Sequence, residues 1–391
     1  MKNSKRFCFV FFSLLSSFCF SEASENLKSF IKASIQEKAF IVKQAPSSES
    51  AELSKAAIDF ALSNKELLGD DRELSALVVA GILSMPKEYV DSLSQNDRNF
   101  IADKFLSVYT TFDDENVKTA VLNKIEVLQL PGYKFTTLLN DYIRNSDFSD
   151  NALVSISTSI KALQNIGNEE SFEIVHEKLQ DKNWKDFSDE LTKTFTKLSE
   201  KYSKQLYDII QKSSVQECQE IYTIFLNNKE ISKVFLAELS ENVLVRTIYI
   251  VEENSSVTNE LIALQLESYN VLTKLNWPRS ASACLLYFKI AKQEYEQNMM
   301  HEDNFAEIIK GLPVVAPMDC VQPLSDYLAE INKNMEKSGS LPSEKIVLEI
   351  ITSLGAIGDK NAFDSLLGVT YYNYSDTVIA EARSALAKLK W

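Results

Sequence analysis

The 391 residues contain only two histidines, His176 and His301. That scarcity removes histidine-rich metal sites and most acid–base triads. His176 follows Val175 on the apolar side of a helical run, where packing of the ring is expected. His301 opens the run His301-Glu302-Asp303, whose acidic residues suit the amide end of a helix. The stretches Asp113-Asp114-Glu115-Asn116 and Asn145-Ser146-Asp147-Phe148-Ser149-Asp150 offer oxygen ligands of the kind calcium takes. Neither carries the glycine and twelfth-position glutamate of a calcium-binding helix–loop–helix, so helix capping is the expected role. Tyr371, Tyr372 and Tyr374 form the densest aromatic cluster, in the last connection between helices. Tyrosine joins apolar area to a polar tip, which makes these three the candidates for contact with a partner; packing against the C-terminal helix and Trp391 is the competing role. Together these residues point to no catalytic group, no metal and no cofactor.

The N-terminus has the form of an export signal. Lys2, Lys5 and Arg6 precede the apolar run of residues 7–20, and Ser21-Glu22-Ala23 supplies a small-x-small cleavage site. The run is shorter than the roughly 20 residues that span a bilayer. Cleavage after Ala23, and a periplasmic or secreted protein, is therefore expected; a retained N-terminal anchor is the lesser reading, as is lipidation at Cys19, which Phe18 suits poorly. No later stretch approaches membrane-spanning length.

The formal net charge is −14, and loss of Lys2, Lys5, Arg6 and Glu22 with the leader takes it to −16. Such a field repels phosphate backbones and argues against a nucleic-acid partner. It favours basic protein surfaces instead. Beyond the leader, Cys218, Cys284 and Cys320 remain, odd in number and far apart, so buried side chains on helices are expected, with a single bridge left open.

Nine glycines in 391 residues is about 2%, against roughly 7% in average proteins, and predicts few tight turns or strands. Apolar residues step by three and four along Leu153, Ile156, Ile160, Leu163, Ile166 and along Ile346, Ile350, Leu354, Ile357. Both runs end at Ile-Gly. The glycine can close the helix in the left-handed conformation, and the next residue can cap the helix that follows. Gly167-Asn168 and Gly358-Asp359 are thus read as turns between helices. Weaker periodicity predicts paired helices at 51–65 with 71–84, 97–110 with 114–128, 134–144 with 150–166, 170–180 with 185–199, 203–212 with 214–227, 230–240 with 242–253, 257–275 with 279–299 and 302–310 with 319–336, then three helices in 343–390. An amphipathic helix (Leu27, Phe30, Ile31, Ile35) precedes them, joined by a loop at Ala45–Ser50. Further breaks are read at 312–319 and 337–345. Residues 241–254 fit either a strand or a helix, and the spacing of Leu244, Ile248 and Val251 favours the helix.

Residues 162–198 overlay 353–389 without a gap. Leu163/Leu354, Ile166/Ile357, Gly167/Gly358, Phe172/Phe363 and Leu198/Leu389 are identical, and similar apolar residues fill the other core positions. With Leu354, Ile357, Gly358, Asp359, Ala362, Leu366, Val378, Ala382, Ala385 and Leu386, the later copy resembles the short HEAT-like repeat. Ile379 stands where that family usually has arginine. Residues 201–340 carry no such consensus, and armadillo or tetratricopeptide-like stacking fits them as well. Periods of 30–50 residues are those of solenoids, so the expected fold is all-α: a superhelical α-solenoid of about eight to nine antiparallel helix pairs over 51–391, after the leader and an N-terminal helix and loop at 24–50.

The family resemblance implies a non-enzymatic scaffold or adaptor that binds protein partners on an extended surface. The alternatives are a cell-envelope glycan-acting enzyme of the helical-superhelix lytic transglycosylase kind, whose glutamate-serine and glycine-leucine-methionine-glutamine runs are missing from the sequence, or a glycan- or peptide-binding module.

Overall fold

A computed structural model describes residues 25–130, 132–146, 153–253, 257–338 and 343–390. The expected leader with Cys19, residues 147–150 of the second acidic stretch, residues 339–342 of the break at 337–345 and Trp391 lie outside them. Among the described residues the regular structure is helical, 21 α-helices with three short 3-10 turns. The chain divides between Thr194 and Phe195 into two compact units.

The first unit holds α1 (Glu25–Lys32), α2 (Ile35–Gln44), α3 (Ser47–Leu68), α4 (Arg72–Ser84), α5 (Lys87–Asp91), α6 (Gln95–Thr111), α7 (Glu115–Leu128), α8 (Tyr133–Asn145), α9 (Leu153–Ile166), α10 (Glu169–Gln180) and the first half of α11 (Ser188–Lys201). α2, α4, α7 and α9 stack one on the next, while α3 packs on α6 and α8 on α10 as a second layer. Short connections make the successive helices antiparallel, and each buries its apolar stripe only against its neighbours.

The N-terminal helix read from Leu27 to Ile35 is two helices. Ser34 ends the first and opens the second with a reciprocal capping box to Glu37. Lys38 then folds back and donates its ammonium to the carbonyls of Phe30 (2.6 Å), Ile31 (3.1 Å) and Ala33 (2.5 Å), so the open end of α1 is closed by a buried cation. The loop expected at Ala45–Ser50 shrinks to Ala45 and Pro46, because proline suits the position just before a first helical turn. Phe30, Ala39, Val42, Leu53, Ala57 and Leu77 share one core there.

The second unit continues with α12 (Ser203–Lys212), α13 (Val215–Leu226), α14 (Lys233–Glu253), α15 (Asn259–Lys274), α16 (Ala281–Glu296), α17 (Glu302–Val315), α18 (Val321–Ser338), α19 (Glu344–Ile357), α20 (Phe363–Val369) and α21 (Asp376–Lys388). One layer runs α13, α15, α17, α19, α21, each against the next; α12, α14 and α16 follow one another in the other layer, where α18 packs on α20. A single apolar core runs through it from Leu244 to Leu389.

Of the breaks expected from sequence, one is absent and another is shortened. The pair read at 230–240 and 242–253 is the continuous helix α14, and the helical reading of 241–254 holds as far as Glu253, where the described residues pause. Its polar middle is satisfied without unwinding: Ser240 Oγ bonds the Leu236 carbonyl (2.7 Å) and meets the Tyr222 hydroxyl (2.7 Å), and Asn242 bonds the Glu238 carbonyl (2.8 Å). The break read at 312–319 begins later, since α17 carries Pro313 inside it and ends at Val315. Proline forfeits one bond to the Ile309 carbonyl, and the burial of Leu312 and Val315 on either side holds the turn. By contrast, the overlay of the two copies holds to the residue in its first helix: α9 and α19 begin and end at positions 191 apart.

Candidate functional site

The glycine turns behave as joints. Gly358 sits at φ 72°, closes α19 by bonding the Leu354 carbonyl (2.9 Å), and its own carbonyl receives Lys390 N (2.8 Å). Asp359 caps the short turn that follows through Asn361 N (2.8 Å). In the earlier copy Gly167 bonds the Leu163 carbonyl (2.9 Å) and Asn168 forms a capping box with Ser171. That cap is wired further: buried Asn140 on α8 accepts from Ser171 Oγ (2.7 Å) and donates to Asn168 (3.2 Å) and Glu170 (3.1 Å), and Glu170 pairs with Arg144 (2.5 Å). Both turns fix how helices stack.

The tyrosine cluster splits into three roles. Tyr371 is 74% exposed. Tyr372 is half-buried, its hydroxyl 3.4 Å from Glu336. Tyr374 is only 7% exposed, and its hydroxyl donates to Asn332 Oδ1 (2.8 Å). Asn332 in turn donates to the Ser365 carbonyl (3.0 Å), so Tyr374 closes a buried network between α18, α20 and the last connection. Burial pushes its phenol up to about 12. The connection therefore leaves Tyr371 exposed and keeps Tyr374 inside.

The remaining sequence candidates are structural. His301 is itself the cap of α17, its Nδ1 accepting from Asp303 N (3.3 Å). His176 lies parallel to the Phe172 ring at 6.5 Å. Asp114 caps α7 through Asn116 N (2.8 Å) and Val117 N (3.2 Å). Cys218, Cys284 and Cys320 are free and buried, with no bridge among them, and burial raises their thiols to about 12, 11 and 12. Only a thiolate attacks a disulfide reagent. Native protein at pH 8 is thus expected to label at these three positions at least about a hundredfold more slowly than denatured protein. Peptide mass mapping after timed labelling checks it; fast native labelling of any of the three would contradict their burial.

Two features have no counterpart in the sequence reading. The first is a cleft of about 290 Å³ in the first unit, walled by α3, α5 and α6. Its floor is Ile58, Met85, Ile101 and Phe105, all buried, and Phe100 stands beside it 63% exposed. The second is Glu294 on α16, 2% exposed, with both carboxylate oxygens buried and unpartnered. Burial alone pushes its carboxyl up to about 7. A sequence signal existed for it: Glu294 continues the stripe Cys284, Tyr287, Ala291 at helical spacing, all on the core side.

Among the described residues, no cluster of histidine, cysteine and carboxylate groups is suited to hold a metal ion, and no helix is long and apolar enough to cross a membrane. No protein-family model matches the chain, and no curated protein matches it in sequence.

Proposed function

We propose that this chain is an exported, non-enzymatic scaffold or adaptor, a HEAT-like array that binds a protein partner on the surface of its stacked helices. The observation that carries the reading is Tyr371. It projects from the last interhelical connection, exposed, while Tyr372 and Tyr374 on the same connection are held by Glu336 and Asn332. An exposed tyrosine on an anchored loop loses little conformational freedom on binding, which is what interface anchors need. The acidic charge of the chain directs it toward a basic partner surface.

A photo-crosslinking side chain placed at Tyr371 is expected to trap a discrete protein in cells. The same group at Leu67, which is equally open to solvent, should not trap that protein. Identical products at both positions, or none at Tyr371, would end the proposal. Cleavage of the leader is tested separately: the mature chain should begin at Ser24 by N-terminal sequencing, and an intact Met1 would refute it.

A further inference from the structure

The cleft on the first unit carries chemistry that the tyrosine site does not use. The cleft is walled by apolar side chains, and Phe100 beside it stands largely exposed, so an apolar guest gains by covering the apolar surface that the cleft still shows to water. Four charged side chains line it, and they are not equivalent. Lys104 is paired with Asp59 at 2.5 Å, which leaves neither free to meet a guest. Asp97 receives the Ser94 hydroxyl (2.6 Å) in the first turn of α6, where helix amides already favour a carboxylate.

Lys55 differs. Its ammonium stands 4.5 Å over the ring of Tyr89 and donates to the Tyr89 hydroxyl. A ring face and a neutral hydroxyl position the cation without cancelling its charge. Tyr89 is also a wall of the cleft, so the cation is fixed at the edge of the apolar floor. The tyrosine hydroxyl, accepting from Lys55, keeps its own proton to donate. Two donors, one of them charged, thus converge beside a small hydrophobic cavity.

We propose that this cleft is a binding site for a small apolar acid, an aryl- or alkyl-carboxylate whose hydrocarbon fills the floor and whose carboxylate pairs with Lys55 and Tyr89. Its volume of about 290 Å³ lies at the small end of ligand pockets, which sets the size of the guest to a single ring or short chain. The site is independent of the partner surface at Tyr371.

Isothermal titration of the full chain with 4-phenylbutanoate, 4-phenylbutan-1-ol and 4-phenylbutylamine tests this. The acid should bind one to one, and about tenfold more tightly than the alcohol, as one charge-assisted pair at a half-open site would give. Lys55→Met keeps the apolar stem and should bring the acid down to the affinity of the alcohol while leaving the alcohol unchanged. Lys43→Met, an exposed lysine away from the cleft lining, should change nothing. Leu93→Trp, which fills the cleft, should weaken both ligands, with circular dichroism confirming that each variant is folded. The proposal is overturned if the acid does not bind at millimolar concentration, if acid and alcohol bind equally, if the amine binds best, or if folded Lys55→Met retains the full preference for the acid.

Discussion

Glutamine at position 294 is expected to remove a loss of stability that the wild-type chain suffers between about pH 4.5 and pH 7. In the folded chain burial holds the Glu294 carboxyl near 7, against 4.5 in its ordinary state. The folded state therefore binds this proton more tightly than the unfolded state. The stabilisation so gained is complete below pH 4.5 and is lost as pH rises through 7, where a charge must either sit unpaired in the core or drag the end of α16 open. At about 1.4 kcal/mol per pH unit the whole effect is about 3 kcal/mol. The Tyr287 hydroxyl feels the Glu294 charge and is itself buried, which raises it well above its usual value. It stays neutral across this window.

Urea midpoints measured from pH 4 to 8 for wild type and Glu294→Gln check the expectation. The variant should lose the downward slope with rising pH and should be the more stable of the two at pH 8. Glu349, also raised by burial, and the lowered carboxylates Glu170, Glu190 and Asp303 are common to both proteins and cancel in the difference. Parallel curves would show that the Glu294 carboxylate reaches solvent or a cation after all.

Gly355→Val is expected to be the most damaging single change at the C-terminal end of the array. A Cβ on Gly355 would stand 2.8 Å from Ala385 Cβ and 3.0 Å from Ala385 Cα, and the second of these is backbone. The side chain cannot turn aside, so α19 and α21 must separate, and overpacking of this kind costs about 3 kcal/mol. Ala356→Val, one residue on and exposed, loses helix propensity that Gly355→Val does not, and should still cost well under 1 kcal/mol. Ala385→Gly in the Gly355→Val background should recover part of the loss. Thermal melts of the four proteins decide the matter; equal destabilisation at 355 and 356 would mean that the helices are not held this close.

That glycine also shows where the two repeat copies part company. At the position 191 residues earlier stands Gln164, half-buried, so α9 lacks the glycine that lets α19 lie so close to α21. The overlay of 162–198 on 353–389 catches the joint, Gly167 and Gly358, and does not distinguish these two contacts. Similarly, the periodicity of α16 marks the stripe that reaches Glu294, yet a stripe records only which residues share a face. Whether a cation waits on the facing helix is a matter of residues brought near by stacking.

The sequence by itself determined the all-helical character, the pairing of helices with few glycines between them, and most of the joints. These are local properties, written in spacings of three and four and in caps such as Asn168 with Ser171; the cap of Ser34 with Glu37, which splits the N-terminal helix, is local as well but escaped the spacing. Only the tertiary structure decided exposure. Tyr371 and Tyr374 are three residues apart in one connection, and Asn332, 42 positions from Tyr374, is what takes the latter inside. The cleft is likewise made by α3, α5 and α6 together, with Lys55 and Tyr89 meeting across 34 positions. In a stacked array each helix presents its faces to neighbours far along the chain, and the residues left uncovered by that stacking are the ones available to a partner or a ligand.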